Sequence, residues 1–259
     1  MREITYLQAV SEALREEMDR DPKVLMMGED IGIYGGGFGV FEGIGEPYNA
    51  RGQIIETPIS EAAFTGAGVA MAMMGFRPVI EIMFSDFMTL TADQLVNHGA
   101  KYRFMTGGQV KVPLVVRTPA GSGTGAAAQH SQSLEAMYLN TPGLKVVMPS
   151  TPYDVKGLLK AAIRDDNPVV FYEHKLLYET RGPVPDADED YVVPIGRGDI
   201  KRQGGDVTLV AYSVMALRAM EAAAVLEKEG VGVEIVDPRT LHPLDDALIV
   251  QSVMKTGRL

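Results

Sequence analysis

The stretch "QIIETPISEAAFTGAGVAMAMMGFRPVIEIMF" (53–84) decides the fold. Its first five residues (53–57) and its last eight (77–84) are short apolar runs, and each predicts a buried strand. Small and apolar residues fill the segment between them, which predicts a helix. A strand, a helix and a second strand in this order predict parallel pairing within an α/β sheet that is covered on both faces.

The same alternation continues on both sides of this stretch. Further strands are predicted at 23–30, 112–120, 145–150 and 167–175, and helices at 86–105, 134–140 and 152–166. Residues 181–206 are rich in proline, glycine and charge, which is typical of a connecting segment on the surface. A strand, a helix, a second strand and a final helical stretch follow. Because two strands alone would expose a sheet edge, we expect this second unit to be incomplete.

Composition excludes several classes of function. The chain has 259 residues, of which 46% are hydrophobic and 22% charged, as in an ordinary globular protein. Its net charge of −10 argues against a nucleic-acid surface. It has no cysteine, so thiolate nucleophiles and thiolate metal sites are excluded. The N-terminus has no apolar signal core and no apolar run reaches about 20 residues, so we predict a cytoplasmic protein.

Glu61 is the only charged residue in the predicted helix, and it stands at the beginning. Thr57 can cap this helix and Pro58 suits its first position, so Glu61 would lie in or near the first turn. There the helix dipole stabilises a carboxylate, which is a purely structural explanation. The helix is apolar on every face, however, and a carboxylate at its entrance would be partly desolvated and need a partner. The pattern leaves both interpretations open.

Two glycine-rich segments follow predicted strands, where α/β sites form. The segment 121–132 contains His130 but has no phosphate-binding motif, so nucleotide binding there is weakly supported. For His98, His174 and His242 the sequence favours structural roles. The segment 28–44 begins with Glu29 and Asp30, which are either a solvated strand end or face a ligand. Metal signatures of the H-E-x-x-H and EF-hand types and the G-x-S-x-G motif are absent from the sequence.

Several long motifs resemble one family. "ETPISEAAFTGAGVAMAMMGFRPVIEIMFSDF", "AAAQHSQSLEA", "PGLKVVMPSTPYDVKGLLKAAIRDDNPVVFYEHKLLY" and "DPRTLHPLDD" are similar to the beta subunits of thiamine-diphosphate-dependent 2-oxoacid dehydrogenases. These are the decarboxylating components of pyruvate, branched-chain 2-oxoacid and acetoin dehydrogenase complexes. The resemblance runs from the N-terminus to Leu259 in the same order.

The resemblance implies a fold and its division into domains. Residues 1–185 would form the pyrimidine-binding domain of transketolase-like proteins, residues 186–205 a linker, and residues 206–259 the start of a transketolase C-terminal α/β domain. Members of the family continue further, which agrees with the expectation that the second unit is incomplete.

The resemblance also implies roles for individual residues. Glu61 matches the glutamate that hydrogen-bonds N1′ of the cofactor's aminopyrimidine and favours the imino tautomer, which removes the proton from C2 of the thiazolium. Phe87 matches an aromatic residue that packs against the aminopyrimidine, and Ile59 and Glu29 match further residues on the pyrimidine side. His130 matches a histidine near the thiazolium that acts on the substrate or intermediate and in reductive acylation of the lipoyl group.

The resemblance further implies a potassium site and two partners. The potassium ligands would be Leu114, Ala162, Ile163, Asp165 and Asn167, mostly through their backbone carbonyls. The G-D-G motif that binds the diphosphate and Mg²⁺ does not occur in the sequence. An alpha subunit would carry it, so two alpha and two beta chains would share the cofactor and deliver the acyl group to a lipoyl acyltransferase core.

The substrate stays open at this point. "EIMFSDF", "DQLVN" and "STPYD" are more similar to the pyruvate and acetoin members than to the branched-chain members. Two other classes are conceivable: a fragment of a transketolase or deoxyxylulose-phosphate synthase, and a non-catalytic partner subunit. "QHSQSLEA" and "EHKLLY" favour the dehydrogenase over the first, and the presence of Glu61 and His130 argues against the second.

Overall fold

The structure is a computed structural model that describes residues 1–32, 34–43, 45–186 and 189–259. Two residues of the glycine-rich segment 28–44, Ile33 and Ile44, and residues 187–188 of the predicted linker lie outside this description. The strands are β1 (Arg2–Thr5), β2 (Val24–Gly28), β3 (Ile54–Glu56), β4 (Arg77–Glu81), β5 (Val115–Ala120), β6 (Lys145–Val147), β7 (Val169–His174), β8 (Arg181–Val184), β9 (Asp199–Arg202), β10 (Val207–Val210), β11 (Val233–Asp237) and β12 (Thr240–His242).

The α-helices vary from one turn to four. They are α1 (Tyr6–Arg20), α2 (Gly45–Ala50), α3 (Glu61–Met73), α4 (Met88–Asp93), α5 (Tyr102–Met105), α6 (Ala136–Leu139), α7 (Pro152–Arg164), α8 (Val214–Glu227) and α9 (Asp246–Thr256). A π-helical turn at Gln94–Gly99 and 3₁₀ turns at Ser85–Phe87, Ala128–His130 and Lys175–Leu177 complete the described helical segments.

Seven strands form the main sheet in the order β12-β6-β7-β5-β4-β2-β3. All neighbours pair in parallel except β12, which is antiparallel to β6 at one edge. The central strands β2, β5 and β7 are buried along their whole length, as parallel strands covered on both faces should be. The parallel α/β sheet predicted from the sequence is therefore confirmed.

Helices cover the main sheet on both faces. On one face α1 packs against α7, and the buried side of α1 follows a helical period with Tyr6, Ala9, Val10 and Ala13. Thr5 and Gln8 form a capping box at the start of α1. On the other face α3 lies over β4 and packs against α4. The sheet is thus fixed between two helical layers, and the loops at its carboxyl edge are held by rigid elements.

The second sheet has three strands in the order β10-β11-β9, where the sequence predicts two. β10 and β11 pair in parallel and β9 is antiparallel to β11. β9 lies within residues 186–205 and has the sequence "DIKR", which has no apolar run to mark a strand. Its backbone pairing covers the edge of β11 that a two-stranded unit would leave open.

The beginning of α3 differs from the prediction. The helix starts at Glu61 with Ser60 as its N-cap, and no side chain caps it. Thr57 is not the cap, and its backbone N–H donates instead to the carbonyl of Gly28 at the end of β2 (3.0 Å). Pro58 consequently precedes the helix instead of occupying its first position. Glu61 itself stands in the first turn, as predicted.

The glycines of α3 face the chain's own sheet and neighbouring helix. A methyl group at Gly68 would meet Cδ1 of Ile80 on β4 at 2.5 Å, and one at Gly66 would meet Oε1 of Gln94 at 3.1 Å. The absence of a side chain at these two positions thus lets α3 pack closely against Ile80 and Gln94 of the same chain. The exposed residues of α3 are all alanines: Ala62, Ala63, Ala67 and Ala70.

Within the described residues, each helix falls short of the length or the apolar character needed to cross a lipid bilayer.

Candidate active site

The loops after five neighbouring parallel strands carry four residues that the sequence singles out and one, Lys175, that it does not. Across the sheet, in the order β7, β5, β4, β2 and β3, these strands are followed by Lys175, His130, Phe87, Glu29 and Glu61. The carboxyl ends of parallel strands meet at one edge of a sheet, and ligands of open α/β folds bind outside that edge. One row of side chains therefore extends from Lys175 and His130 at one end to the two glutamates at the other.

Glu61 and Glu29 form the acidic end of the row. Glu61 is buried, with 8% of its surface exposed, although it is ionisable and lies at a helix start. Burial and the charge of Glu61 raise the pKa of Glu29 above its ordinary value. Oε1 of Glu29 is buried and has no hydrogen-bond partner among the described residues, and the same holds for Oγ1 of Thr57. Orphaned acceptors beside a second carboxylate fit a ligand that brings N–H donors to this point.

Aromatic rings surround His130, in the loop after β5. Its imidazole lies 4.3 Å from the ring centroid of Phe84 and 5.4 Å from that of Phe87, both in edge-to-face geometry. Phe38 from the glycine-rich segment after β2 contacts Phe84 at 5.5 Å. Phe87 and His130, which the sequence predicts at one site, are therefore brought together. Sequence reasoning missed Phe84, although it lies, like Phe87, in the segment that follows β4.

The loop that carries His130 depends on a glycine at its beginning. Gly121 has a φ of +86°, and a methyl group there would meet Nε2 of His174 at 2.1 Å. The loop is tied back where it ends, because the N–H of Gly121 donates to the carbonyl of Gln132 (3.0 Å). Ser85 Oγ donates to the same carbonyl (2.9 Å). These bonds fix both ends of the loop and leave His130 on its turn between them.

Asp86 lies under this loop and is only partly hydrogen-bonded. Its Oδ1 accepts from the side-chain amide of Gln132 (2.8 Å). Its Oδ2 is buried and has no partner among the residues that the structure describes. Sequence reasoning missed Asp86, because an acidic residue at the start of a helix is usually explained by the helix dipole alone.

A buried cluster of charged side chains lies within the main sheet, on the strands that lead into the site. The guanidinium of Arg117, in the central strand β5, donates to both carboxylate oxygens of Glu173 (2.9 and 2.8 Å) and to Glu81. Tyr178 also donates to Glu173 (2.9 Å). Burial opposes the charge of Arg117, but Glu173 and Glu81 more than offset it and raise its pKa. A methyl group at Gly36 would meet Oε1 of Glu81 at 2.9 Å, so the segment after β2 lies directly on this cluster.

Ile59 lies in the loop after β3, before Glu61, and the predicted potassium ligands lie outside the row. Ile59 precedes α3 and is 84% exposed. Leu114 and Asn167 precede β5 and β7, so they lie at the opposite, amino edge of the sheet from His130.

The oxygens of the predicted potassium ligands already accept hydrogen bonds within the chain. The accepting groups are the carbonyls of Leu114 (from Val169 N, 2.8 Å), Ala162 (from Asp165 N, 3.2 Å), Ile163 and Asp165 (each from Arg77 Nη1, 3.0 Å) and Oδ1 of Asn167 (from Arg103, 2.6 Å). The guanidinium of Arg77 thus supplies positive charge where an ion is expected. In the described part of the chain, no group of three or more His, Asp or Glu residues could hold a metal ion.

Two of the other histidines, His174 and His98, have contacts of structural kinds. Nδ1 of His174 accepts from the backbone N–H of Leu176 (3.2 Å) and so caps the turn after β7. His98 stacks on Tyr102 at 5.6 Å.

Comparison with protein families gives two matches. A family model described as "Transketolase, pyrimidine binding domain" matches residues 2–181. A second, described as "Transketolase, C-terminal domain", matches residues 196–259.

Individual relatives match the whole chain. It is 44% identical over 260 residues to the 2-oxoisovalerate dehydrogenase subunit beta of Bacillus subtilis, covering 100% of this chain and 79% of that protein. It is 48% identical over 268 residues to the acetoin:2,6-dichlorophenolindophenol oxidoreductase subunit beta of Cupriavidus necator, covering 100% and 78%. It is 46% identical over 259 residues to the pyruvate dehydrogenase E1 component subunit beta of Rhizobium meliloti, covering 100% and 56%.

Among solved structures, the chain is similar to a "Split gene transketolase, inactive beta4 tetramer". The TM-score is 0.80 at 24% sequence identity, and the match covers 98% of this chain and 77% of the other. At this identity the likeness supports the fold alone.

Proposed function

The chain belongs to the family of beta subunits of 2-oxoacid and acetoin dehydrogenases, and we propose that it supplies one half of a thiamine-diphosphate site that decarboxylates a 2-oxoacid. The observation that carries this proposal is the acidic end of the row. Glu61 is buried at a helix start beside Glu29, whose Oε1 has no partner in the described chain. A carboxylate pair of this kind is costly unless a ligand hydrogen-bonds to it.

Thiamine diphosphate, when bound, supplies a nucleophilic carbon and an electron sink for the electrons released by decarboxylation. Glu61 would hold a proton at the pyrimidine nitrogen, because the low dielectric of its surroundings strengthens that hydrogen bond. Phe87 would pack against the pyrimidine and Ile59 would border it. His130 would face the substrate and move a proton there, held against Phe84 and Phe87.

An alpha subunit would supply the rest of the site. The sequence contains no G-D-G motif for the diphosphate and Mg²⁺. On α3 the exposed residues Ala63, Ala67 and Ala70 and the 78% exposed Met74 follow one helical stripe, and the 84% exposed Ile59 stands just before it. An apolar stripe beside a half-built site fits an obligate subunit interface. We propose an assembly of two alpha and two beta chains that passes the acyl group to lipoyl groups of an acyltransferase.

Pyruvate or a related 2-oxoacid is the proposed substrate, and acetoin is the alternative. The observation that supports acetoin as the alternative is the 48% identity to an acetoin oxidoreductase subunit. Potassium at residues 162–167 is part of the proposal, but the ion would compete there with the guanidinium of Arg77.

Reconstitution tests this proposal. The chain is co-expressed with an alpha subunit of the same family from the same organism and supplied with thiamine diphosphate and Mg²⁺. Reduction of an artificial electron acceptor is then followed with pyruvate, 2-oxoisovalerate and acetoin. We expect turnover with at least one 2-oxoacid. Glu61→Gln should lower kcat by roughly 10²- to 10⁴-fold while the complex still assembles. Glu229→Gln, an exposed carboxylate after α8, is the matched control and should keep full activity.

Two outcomes would contradict the proposal. The first is the absence of turnover with all three compounds in a complex that has assembled. The second is an unchanged rate in Glu61→Gln, which would remove this residue from the chemistry.

A further inference from the structure

Lys175 is a buried lysine without a carboxylate partner. It directly follows β7 and has 6% of its surface exposed. The structure describes two other buried lysines, Lys156 and Lys160, and each of them pairs with two carboxylates. The ammonium of Lys175 donates instead to a neutral group, the backbone carbonyl of His130.

The surroundings of this ammonium belong to the candidate active site. Nζ lies 5.3 Å from the ring centroid of Phe84, the ring that also contacts the imidazole of His130. Lys175, His130 and Phe84 follow three adjacent strands, β7, β5 and β4, at the same edge of the sheet. The ammonium therefore lies at the end of the row where the reacting part of a substrate would meet His130.

The chain itself satisfies this cation only in part. A carbonyl and an aromatic face stabilise a buried ammonium weakly, and an ammonium has three N–H donors. The structure describes one hydrogen bond from Nζ, so two donors remain. Burial lowers the pKa of Lys175, and the charge of Asp86 opposes this shift. Asp86 is not within ion-pairing distance in the described structure, but its charge helps to keep the amine protonated.

We propose that Lys175 binds the carboxylate of a 2-oxoacid substrate beside His130 and thereby selects 2-oxoacids over neutral acetoin. This inference rests on the proposed function. A 2-oxoacid carries a carboxylate next to its reacting carbonyl, and acetoin carries none. In a site closed by a partner subunit, a charge-assisted hydrogen bond to that carboxylate is among the stronger contacts available.

The chemistry determines which kinetic constant Lys175 affects. Decarboxylation would release the substrate's carboxylate as CO₂, the electron pair of the broken bond would stay with the rest of the substrate, and the negative charge would no longer lie beside Lys175. The ion pair therefore stabilises the bound substrate at least as well as the transition state. Removing it should raise KM with a smaller change in kcat.

The test uses the assembled complex with saturating cofactor and two variants. Lys175→Met keeps the length of the side chain and removes its charge, and Lys175→Arg keeps the charge. We expect Lys175→Met to raise KM for pyruvate by about 10- to 100-fold, as for the loss of one hydrogen bond to a charged group. The ratio of kcat/KM for pyruvate to that for acetoin should fall at least about tenfold, and Lys175→Arg should restore most of it.

Equal losses with both substrates would overturn the proposal, because Lys175 would then only position His130. Unchanged constants in Lys175→Met would overturn it as well. If the wild-type complex does not turn over acetoin, the neutral comparison is inhibition by pyruvamide, whose inhibition constant Lys175→Met should change far less than KM for pyruvate.

The activity of the wild-type complex tests the proposed substrate, and the Lys175 variants test the role of Lys175. A wild-type complex that acts on acetoin and on no 2-oxoacid overturns the role of Lys175 and the preferred substrate together. A wild-type complex that decarboxylates pyruvate and is indifferent to Lys175→Met overturns the role of Lys175 alone.

Discussion

Ionised side chains are buried both between α1 and α7 and at the carboxyl edge of the main sheet, but their partners differ. Between the helices, the fully buried Glu17 pairs with Arg164 (2.6 Å) and Arg20 (2.7 Å). Lys160 likewise pairs with Glu16 (2.8 Å) and Asp190 (2.6 Å). At the carboxyl edge, Glu29 and Asp86 each have a buried oxygen with no partner in the described chain.

This difference separates charge that supports the fold from charge that is available to bind. A buried charge is tolerated when partners within the chain compensate it, and removing one partner leaves the other uncompensated. A charge that the chain leaves unpartnered destabilises the isolated fold and is compensated only when something else binds. Changes in the first region should therefore affect stability, and changes in the second should affect ligand binding and catalysis.

Arg117→Met should give the largest effect on stability. Arg117 is fully buried between Glu173 and Glu81, so its removal leaves two carboxylates uncompensated. We expect a loss of about 3–5 kcal/mol in the free energy of unfolding, measured by urea titration followed by circular dichroism. The control is Arg218→Met, which breaks an exposed pair with Glu221 and should cost less than about 1 kcal/mol. Similar losses in the two variants would show that the cluster does not support the fold.

Most of the fold could be predicted from the sequence, because most strands of the main sheet are short apolar runs and helices such as α7 have one apolar face. β9 could not, since "DIKR" is polar and becomes a strand only by pairing with β11. The start of α3 was misplaced for a similar reason: a tertiary bond from Thr57 to Gly28 overrides the local capping preference.

The site could be predicted where a single residue carries the signal and not where it depends on contacts between strands. Glu61 is conspicuous as the one charge in an apolar helix. Lys175 and Asp86 are ordinary charged residues in the sequence, and only the adjacency of β7, β5 and β4 shows that they lie beside His130. The pairing of Arg117 with Glu173 likewise depends on strand register, which composition and spacing do not give.

Glu29→Gln should affect stability in the opposite direction to Arg117→Met. Burial and the charge of Glu61 raise the pKa of Glu29 in the folded chain above its pKa of about 4.3 in the unfolded chain. Above about pH 4.3, the ionised carboxylate of Glu29 therefore destabilises the folded state. Without cofactor, the variant should therefore be more stable than the wild type at about pH 8 and equally stable at about pH 4. Solvent screens this half-buried group, so we expect a gain on the order of 0.5 kcal/mol, measured by urea titration at both pH values.

The same variant should bind thiamine diphosphate less tightly in the assembled complex, because it loses a carboxylate at the pyrimidine side. Glu229→Gln serves as the control for both measurements. A loss of stability at about pH 8 would mean that Glu29 has a partner within the chain and belongs with the structural charges.

Asp190→Asn should have an effect as small as that of Glu29→Gln, and it tests the rim of the α1–α7 region. Hydrogen bonds from Arg164 and Lys160 hold the pKa of Asp190 well below its ordinary value, although its side chain is 58% exposed. A carboxylate whose pKa is lowered by folding stabilises the folded state when the pH is above its unfolded-state pKa, about 3.9 for aspartate. This stabilisation is lost as the pH falls from about 3.9 towards the lower pKa of the folded state. Because solvent screens an exposed pair, the variant should lose only about 0.2–1 kcal/mol in the free energy of unfolding at neutral pH.

Urea titration at several pH values and salt concentrations measures this loss. The difference in the free energy of unfolding from the wild type should shrink towards about pH 3 and in about 1 M salt. A loss that persists under both conditions would mean that Asp190 contributes through packing, and the contrast between partnered and unpartnered charge would then apply only to the buried members of the α1–α7 region.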